Sequence, residues 1–191
     1  FVNYLTFGVI GAMLFGTALP LSQDRDQGVL KLKRTTPQPF AVYVAGKLAA
    51  AGMLAAAVIA VMVAVAVGAG GVSFDAATWT KLLASQFVGG IAFGALGLAI
   101  GAAFRGNAAP GVVNLVFLPT AALGGLWFPM SFMPGFVQVL ALFLPTFHYG
   151  ELARVAAGIG GQAVWMSLAG IIGWTAIGVL IAWWALRRRP F

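Results

Sequence analysis

The chain alternates between long stretches without charge and short polar breaks. Uncharged runs cover residues 1–21, 48–74, 82–104, 106–147 and 155–186. Each reaches the roughly 20 residues that carry a helix across a bilayer. None shows the alternating segments, about 10 residues each, of a transmembrane barrel. A helix satisfies its own backbone groups without water, so the pattern predicts an all-α polytopic transmembrane bundle. Five spans are expected, at about residues 1–21, 41–68, 82–104, 111–127 and 164–186.

Finer spacing within the runs predicts how the spans meet. Gly8, Ala12 and Gly16 recur every four residues and give the first span one small-residue face. Gly90, Gly94, Gly97 and Gly101 form a stripe along the third. Such a stripe can line a substrate path, but its commoner use in membranes is a packing seam, which is the expectation here. Beyond the fourth span, Pro129, Pro134 and Pro145 cut the apolar sequence into pieces too short to cross. The piece at 136–144 would be only about 13 Å long as a helix. It reads as a re-entrant or interfacial helix on the outer side, followed by a second at 146–157. On that second piece His148, Glu151 and Arg154 fall three residues apart and are predicted to share a face, with Glu151 paired to Arg154.

Composition agrees with the pattern: 61% of residues are hydrophobic and 8% charged. The net charge of +7 is a topology signal, because the bases flank spans. If alternate connections are cytoplasmic, Arg25, Lys31, Lys33, Arg34, Lys47, Arg105, Arg187, Arg188 and Arg189 all lie inside, leaving Lys81 and Arg154 outside. The C-terminus is then cytoplasmic. That orientation puts the start of the first span outside, so an upstream cytoplasmic piece and one more span are expected before Phe1, within a single membrane domain covering 1–191.

Candidate chemistry is sparse. There is no cysteine, and His148 is the sole histidine. Neither His-Glu-x-x-His nor Gly-x-Ser-x-Gly occurs, so no catalytic residue and no metal site is predicted. Gly46-Lys47 lacks the upstream glycine of a phosphate-binding loop, so this chain is not expected to hold ATP in that way. Gln86, Asn114 and Thr120 can bond a passing substrate or, as expected, other helices.

The remaining feature is a charged island at residues 22–37. With Ser22 as N-cap, Asp24 and Asp26 would occupy the first turn of a short helix and Lys31, Lys33 and Arg34 its last turn, matching the helix dipole. Val29, Leu30 and Leu32 would supply its apolar edge, and Pro37 would end it. Composition alone favours an amphipathic anchor on anionic lipid. The order Asp24-Arg25-Asp26-x-Gly28-x-Leu30-x-Leu32, ending in Thr36-Pro37, nonetheless resembles the cytoplasmic loop of type-two ABC exporter permeases. So does the outer stretch Gly124-Gly125-Leu126-Trp127-Phe128-Pro129, Met133-Pro134, Leu144-Pro145-Thr146-Phe147-His148 and Arg154. Aspartates stand where that family commonly has glutamates, and Val29 where threonine is frequent.

The resemblance implies that Asp24, Arg25, Asp26, Gly28, Val29, Leu30, Leu32, Thr36 and Pro37 form a coupling helix that docks on a separate ATP-binding subunit. It also implies two permease halves, ATP and magnesium on the partner, a bacterial inner membrane, and outward movement of a drug, lipid or glycolipid. The residues leave the cargo open. A secondary carrier and a lipid-anchoring scaffold are the competing readings. A carrier ordinarily needs an ionisable group within the membrane, whereas Asp24, Asp26, Asp75 and Glu151 all fall near span edges.

Overall fold

The computed structural model describes residues 1–30 and 39–188. Among them are seven α-helices, α1 (Val2–Asp26), α2 (Phe40–Gly68), α3 (Ala76–Ala103), α4 (Ala109–Leu123), α5 (Gly135–Ala141), α6 (Pro145–Ala156) and α7 (Val164–Arg188), with a 3-10 turn at Met130–Phe132. The protein is all-α, as the apolar runs predict. Four helices, α1, α2, α3 and α7, are long and apolar enough to cross a membrane. The expected fourth span is the 15-residue α4, about 22 Å long at 1.5 Å per residue and short of a full hydrocarbon core by itself.

Burial separates inner from outer helices. In their most apolar windows α1 is 61% buried and α3 67% buried, against 17% for both α2 and α7. The inner pair runs side by side, α2 covers α1, and α7 covers α3. Small residues permit this. A Cβ on Gly8 would sit 2.8 Å from Val58, and one on Gly16 would sit 3.0 Å from Ala51, so the small-residue face of α1 receives α2. On α7, a Cβ at Gly178 would meet the Ala95 backbone of α3 at 2.8 Å. The main core gathers Ile10 and Leu14 of α1, Phe93 and Leu96 of α3, Val113 and Phe117 of α4 and Tyr149 of α6.

The island departs from expectation. Its first residues continue α1 and do not begin a new helix: Ser22 is buried and donates to the Leu19 carbonyl at 2.8 Å. It is therefore no N-cap, and Asp24 and Asp26 lie in the last turn of α1. The backbone breaks at Gly28, whose φ of 74° is a left-handed value that only glycine adopts without strain. Helix resumes at Val29 and Leu30. Leu32, Thr36 and Pro37 lie outside the described residues.

The outer prolines each start an element. Pro129 precedes the 3-10 turn, Pro134 precedes α5, and Pro145 opens α6. Each has no N–H to donate where a helix start needs none.

Candidate functional site

The Arg25 end of the bundle holds most of the described bases, and three consecutive residues of α1 are tied there to three different elements. Asp24 Oδ2 accepts from Lys47 Nζ at 2.6 Å and from the Tyr43 hydroxyl at 2.8 Å, both on α2. Arg25 donates to the Ala102 carbonyl in the last turn of α3. Asp26 Oδ2 accepts the Gly106 backbone N–H at 2.7 Å in the α3–α4 turn. The helical step of about 100° per residue aims successive side chains at different neighbours. Carboxylates at a helix C-terminus oppose its dipole, so Lys47 and the Gly106 N–H offset a real cost. Arg25 gains twice, lying near the C-terminal turns of both α1 and α3.

Beneath this junction Leu30 is only 2% exposed and packs with Leu21, Tyr43, Leu98, Ala182 and Ala185. That number corrects the expected apolar edge: Leu30 faces the chain's own core, while Val29 is half-buried. Asp26, Gln27, Arg105 and Asn107 are exposed around it. They form an exposed polar rim.

The glycine stripe of α3 lies against α1. A Cβ on Gly90 would meet Met13 at 3.4 Å, and one on Gly94 would meet Leu48 and Met13 at 2.9 Å. Gly97 faces the Thr17 hydroxyl and the Leu14 carbonyl, and Gly101 faces the Ala18 carbonyl. Thr17 Oγ1 also donates to the Gly94 carbonyl at 3.2 Å across the seam. These contacts place helix against helix.

At the opposite end the outer segments close on the bundle through polar bonds. Glu151 pairs with Arg154 at 3.0 Å, and Arg154 Nη1 donates to Asn3 Oδ1 at 3.1 Å. Asn3 in turn donates to the Gly125 carbonyl at 3.2 Å. Thus α6, the start of α1 and the turn after α4 share one network. His148 points elsewhere, its ring pressed on Gly170 of α7 and Nε2 2.9 Å from the Leu142 carbonyl. The predicted common face is split between two neighbours. Between them the Tyr149 ring lies on Gly89, and its hydroxyl donates to the Gln86 carbonyl at 2.9 Å.

Comparison with known sequences joins these features. The profile of the ABC-2 family transporter proteins matches residues 1–187. The chain belongs to that family. A relative in Bacillus subtilis (strain 168), named "Putative transport permease YvfS", is 25% identical over 192 residues, covering 98% of this chain and 76% of the relative. This ABC-2 protein is therefore an integral, multi-pass membrane subunit of an ABC transporter.

Within this ABC-2 chain the junction ties the end of α1 to three elements. Each of α2, α3 and the α3–α4 turn is bonded to a different residue of α1. Sequence reasoning named Asp24, Arg25 and Asp26 but missed their partners Tyr43, Lys47 and Gly106. Lys47 carried a signal, being a lone charge inside a span, which in a membrane calls for a partner. Asn3, paired with a residue 151 positions away, carried none. Gln86 bonds between helices, its Nε2 lying 3.4 Å from Thr6 Oγ1. Asn114 and Thr120 donate within α4, to the carbonyls of Pro110 and Val116.

Proposed function

We propose that this chain is the permease subunit of an ATP-driven exporter, moving a hydrophobic or amphipathic molecule outward with work from a separate ATP-binding subunit. The observation that carries the reading is the junction of Asp24, Arg25 and Asp26. The chain concentrates its described bases at that end, Arg25, Lys47, Arg105 and Arg187, and this positive bias supports a cytoplasmic position for it. A partner docked on the island and on the exposed Asp26–Gln27 rim would tilt α1, and the bonded neighbours would follow as one body. ATP and magnesium belong to the partner, and two permease copies complete the path.

An ion-coupled carrier is less well supported. Its carboxylate would have to work inside the membrane, and here Asp24 is committed to Lys47 and Glu151 to Arg154 at opposite ends.

Two substitutions separate docking from transmission. Leu32→Asp is expected to insert normally but to lose co-purification of the ATP-binding subunit and efflux together. Asp24→Ala keeps the partner and its ATPase activity but lowers efflux, because α2 no longer follows α1. Equal recovery of the ATP-binding subunit by wild type and Leu32→Asp refutes the docking site. Unchanged efflux in Asp24→Ala refutes the transmission path.

A further inference from the structure

An apolar groove opens between the peripheral helices α2 and α7 at the charged end. It encloses about 550 Å³, within the range of about 300–1,000 Å³ for ligand pockets. Leu21, Leu30 and Leu98 line it alongside Val44 of α2 and Val179 of α7. Its polar hydroxyls are already spent: Tyr43 donates to Asp24, and Thr175 donates to the Ile171 carbonyl at 2.7 Å. Water in such a groove finds no partner, and the outer faces of both helices leave it open to hydrocarbon. Charge sits at one end only. Arg187 lines the groove with its guanidinium 4.0 Å from the Trp183 ring centroid. Among the described residues Arg187 makes no ion pair, since Asp24 is taken by Lys47 and Asp26 by the Gly106 N–H.

We infer that this groove binds an anionic glycerophospholipid from the surrounding leaflet, one acyl chain lying between α2 and α7 and the phosphate on Arg187. The chemistry of the two ends fits such an amphiphile. Hydrocarbon fills the groove without leaving a polar atom unpaired. A guanidinium stacked on indole keeps its N–H edge turned outward, where it can fork onto phosphate oxygens. Trp183 and Trp184 set the depth, since tryptophan at a span end lies at headgroup level. Among the described residues four bases stand at this end, Arg25, Lys47, Arg105 and Arg187, against Asp24 and Asp26. That surplus selects a net negative headgroup over a zwitterionic one. The bound lipid would brace the outer pair α2 and α7 around the inner pair.

The test uses the purified full chain in phosphatidylcholine nanodiscs doped with phosphatidylglycerol carrying a photoreactive diazirine on one acyl chain. After irradiation, peptide mapping should find label on the groove-facing residues of α2 and α7. Unlabelled phosphatidylglycerol should compete about fivefold better than phosphatidylcholine. Arg187→Gln should erase that preference, and Val179→Trp, which fills the groove from its lipid-facing wall, should remove the label from α2. Label spread evenly over every exposed helix face overturns the site. Equal competition by the two lipids overturns its selectivity for charge. Should Val179→Trp fail to fold, Arg187→Gln, at an exposed position, still decides. No ATP-binding subunit is present in the assay, so its outcome stands apart from the proposed export function.

Discussion

Replacing Gly97 with alanine tests the seam on which the bundle is built. The new Cβ would overlap Thr17 Oγ1 and lie 2.7 Å from the Leu14 carbonyl oxygen, and neither neighbour can swing aside. The carbonyl is α1 backbone, and the hydroxyl is held by the Met13 carbonyl at 2.7 Å and the Gly94 carbonyl at 3.2 Å. Overpacking of this kind costs about 1–3 kcal/mol. Losing the interhelical bond adds roughly 0.6 kcal/mol in a membrane setting. The sum, about 2–4 kcal/mol, lowers an unfolding midpoint by roughly 4–16 °C at about 2–4 °C per kcal/mol for a chain of this size. Gly52→Ala supplies the control, because nothing lies within 4 Å of its added Cβ. In a helix interior that change is neutral or stabilising by up to about 1 kcal/mol. The assay is thermal unfolding in detergent, followed by intrinsic tryptophan fluorescence, with the two variants beside the wild type. Adding Thr17→Ala to Gly97→Ala should recover only part of the loss, since the Leu14 carbonyl remains in place. If Gly97→Ala unfolds within about 1 °C of wild type, α1 and α3 are not in the close contact described, and the seam argument fails.

Three further outcomes follow from the same geometry. Tyr149→Phe leaves the buried Gln86 side-chain oxygen without the hydroxyl 3.1 Å away, so stability should fall by about 1–3 kcal/mol in the same melt. Arg154→Ala releases Asn3 and strands Glu151, and limited proteolysis should then cut faster in the turn around Gly125. Gly28→Ala meets no atom within 4 Å but must hold φ near 74°; it should cost about 1–2 kcal/mol from backbone strain alone. Gly28→Asn should cost less, because asparagine tolerates that region.

Span positions were legible because lipid imposes a simple rule, and α2 and α7 begin and end within two residues of where their apolar runs predict. The start of α3 was placed six residues late. Lys81 interrupts the apolar run, but Asp75 caps the helix, its carboxyl held below the usual carboxylate range by the Thr78 hydrogen bond. The end of α1 was misread for a related reason. Leaving the apolar region does not end a helix, and the breaker was Gly28, not Ser22. Spacing disclosed the glycine stripe as a close-approach surface. It could not say that Met13, Thr17 and Ala18 would fill it, because which helices pair is a tertiary outcome. The junction was half legible: charge made Asp24, Arg25 and Asp26 conspicuous, whereas a backbone N–H such as that of Gly106 leaves no mark in a sequence.

The two packing faces of α1 bear on biogenesis. Gly8 and Gly16 await α2, and the surface that meets Gly97 and Gly101 awaits α3, so α1 is already made when the two helices that must fit it leave the ribosome. Its partners emerge next, in order, and a nascent chain that has reached Ala103 already holds both sides of its tightest seam. Insertion and assembly of the described helices can therefore proceed in one direction, with α4, α5, α6 and α7 added to the packed α1–α3 group.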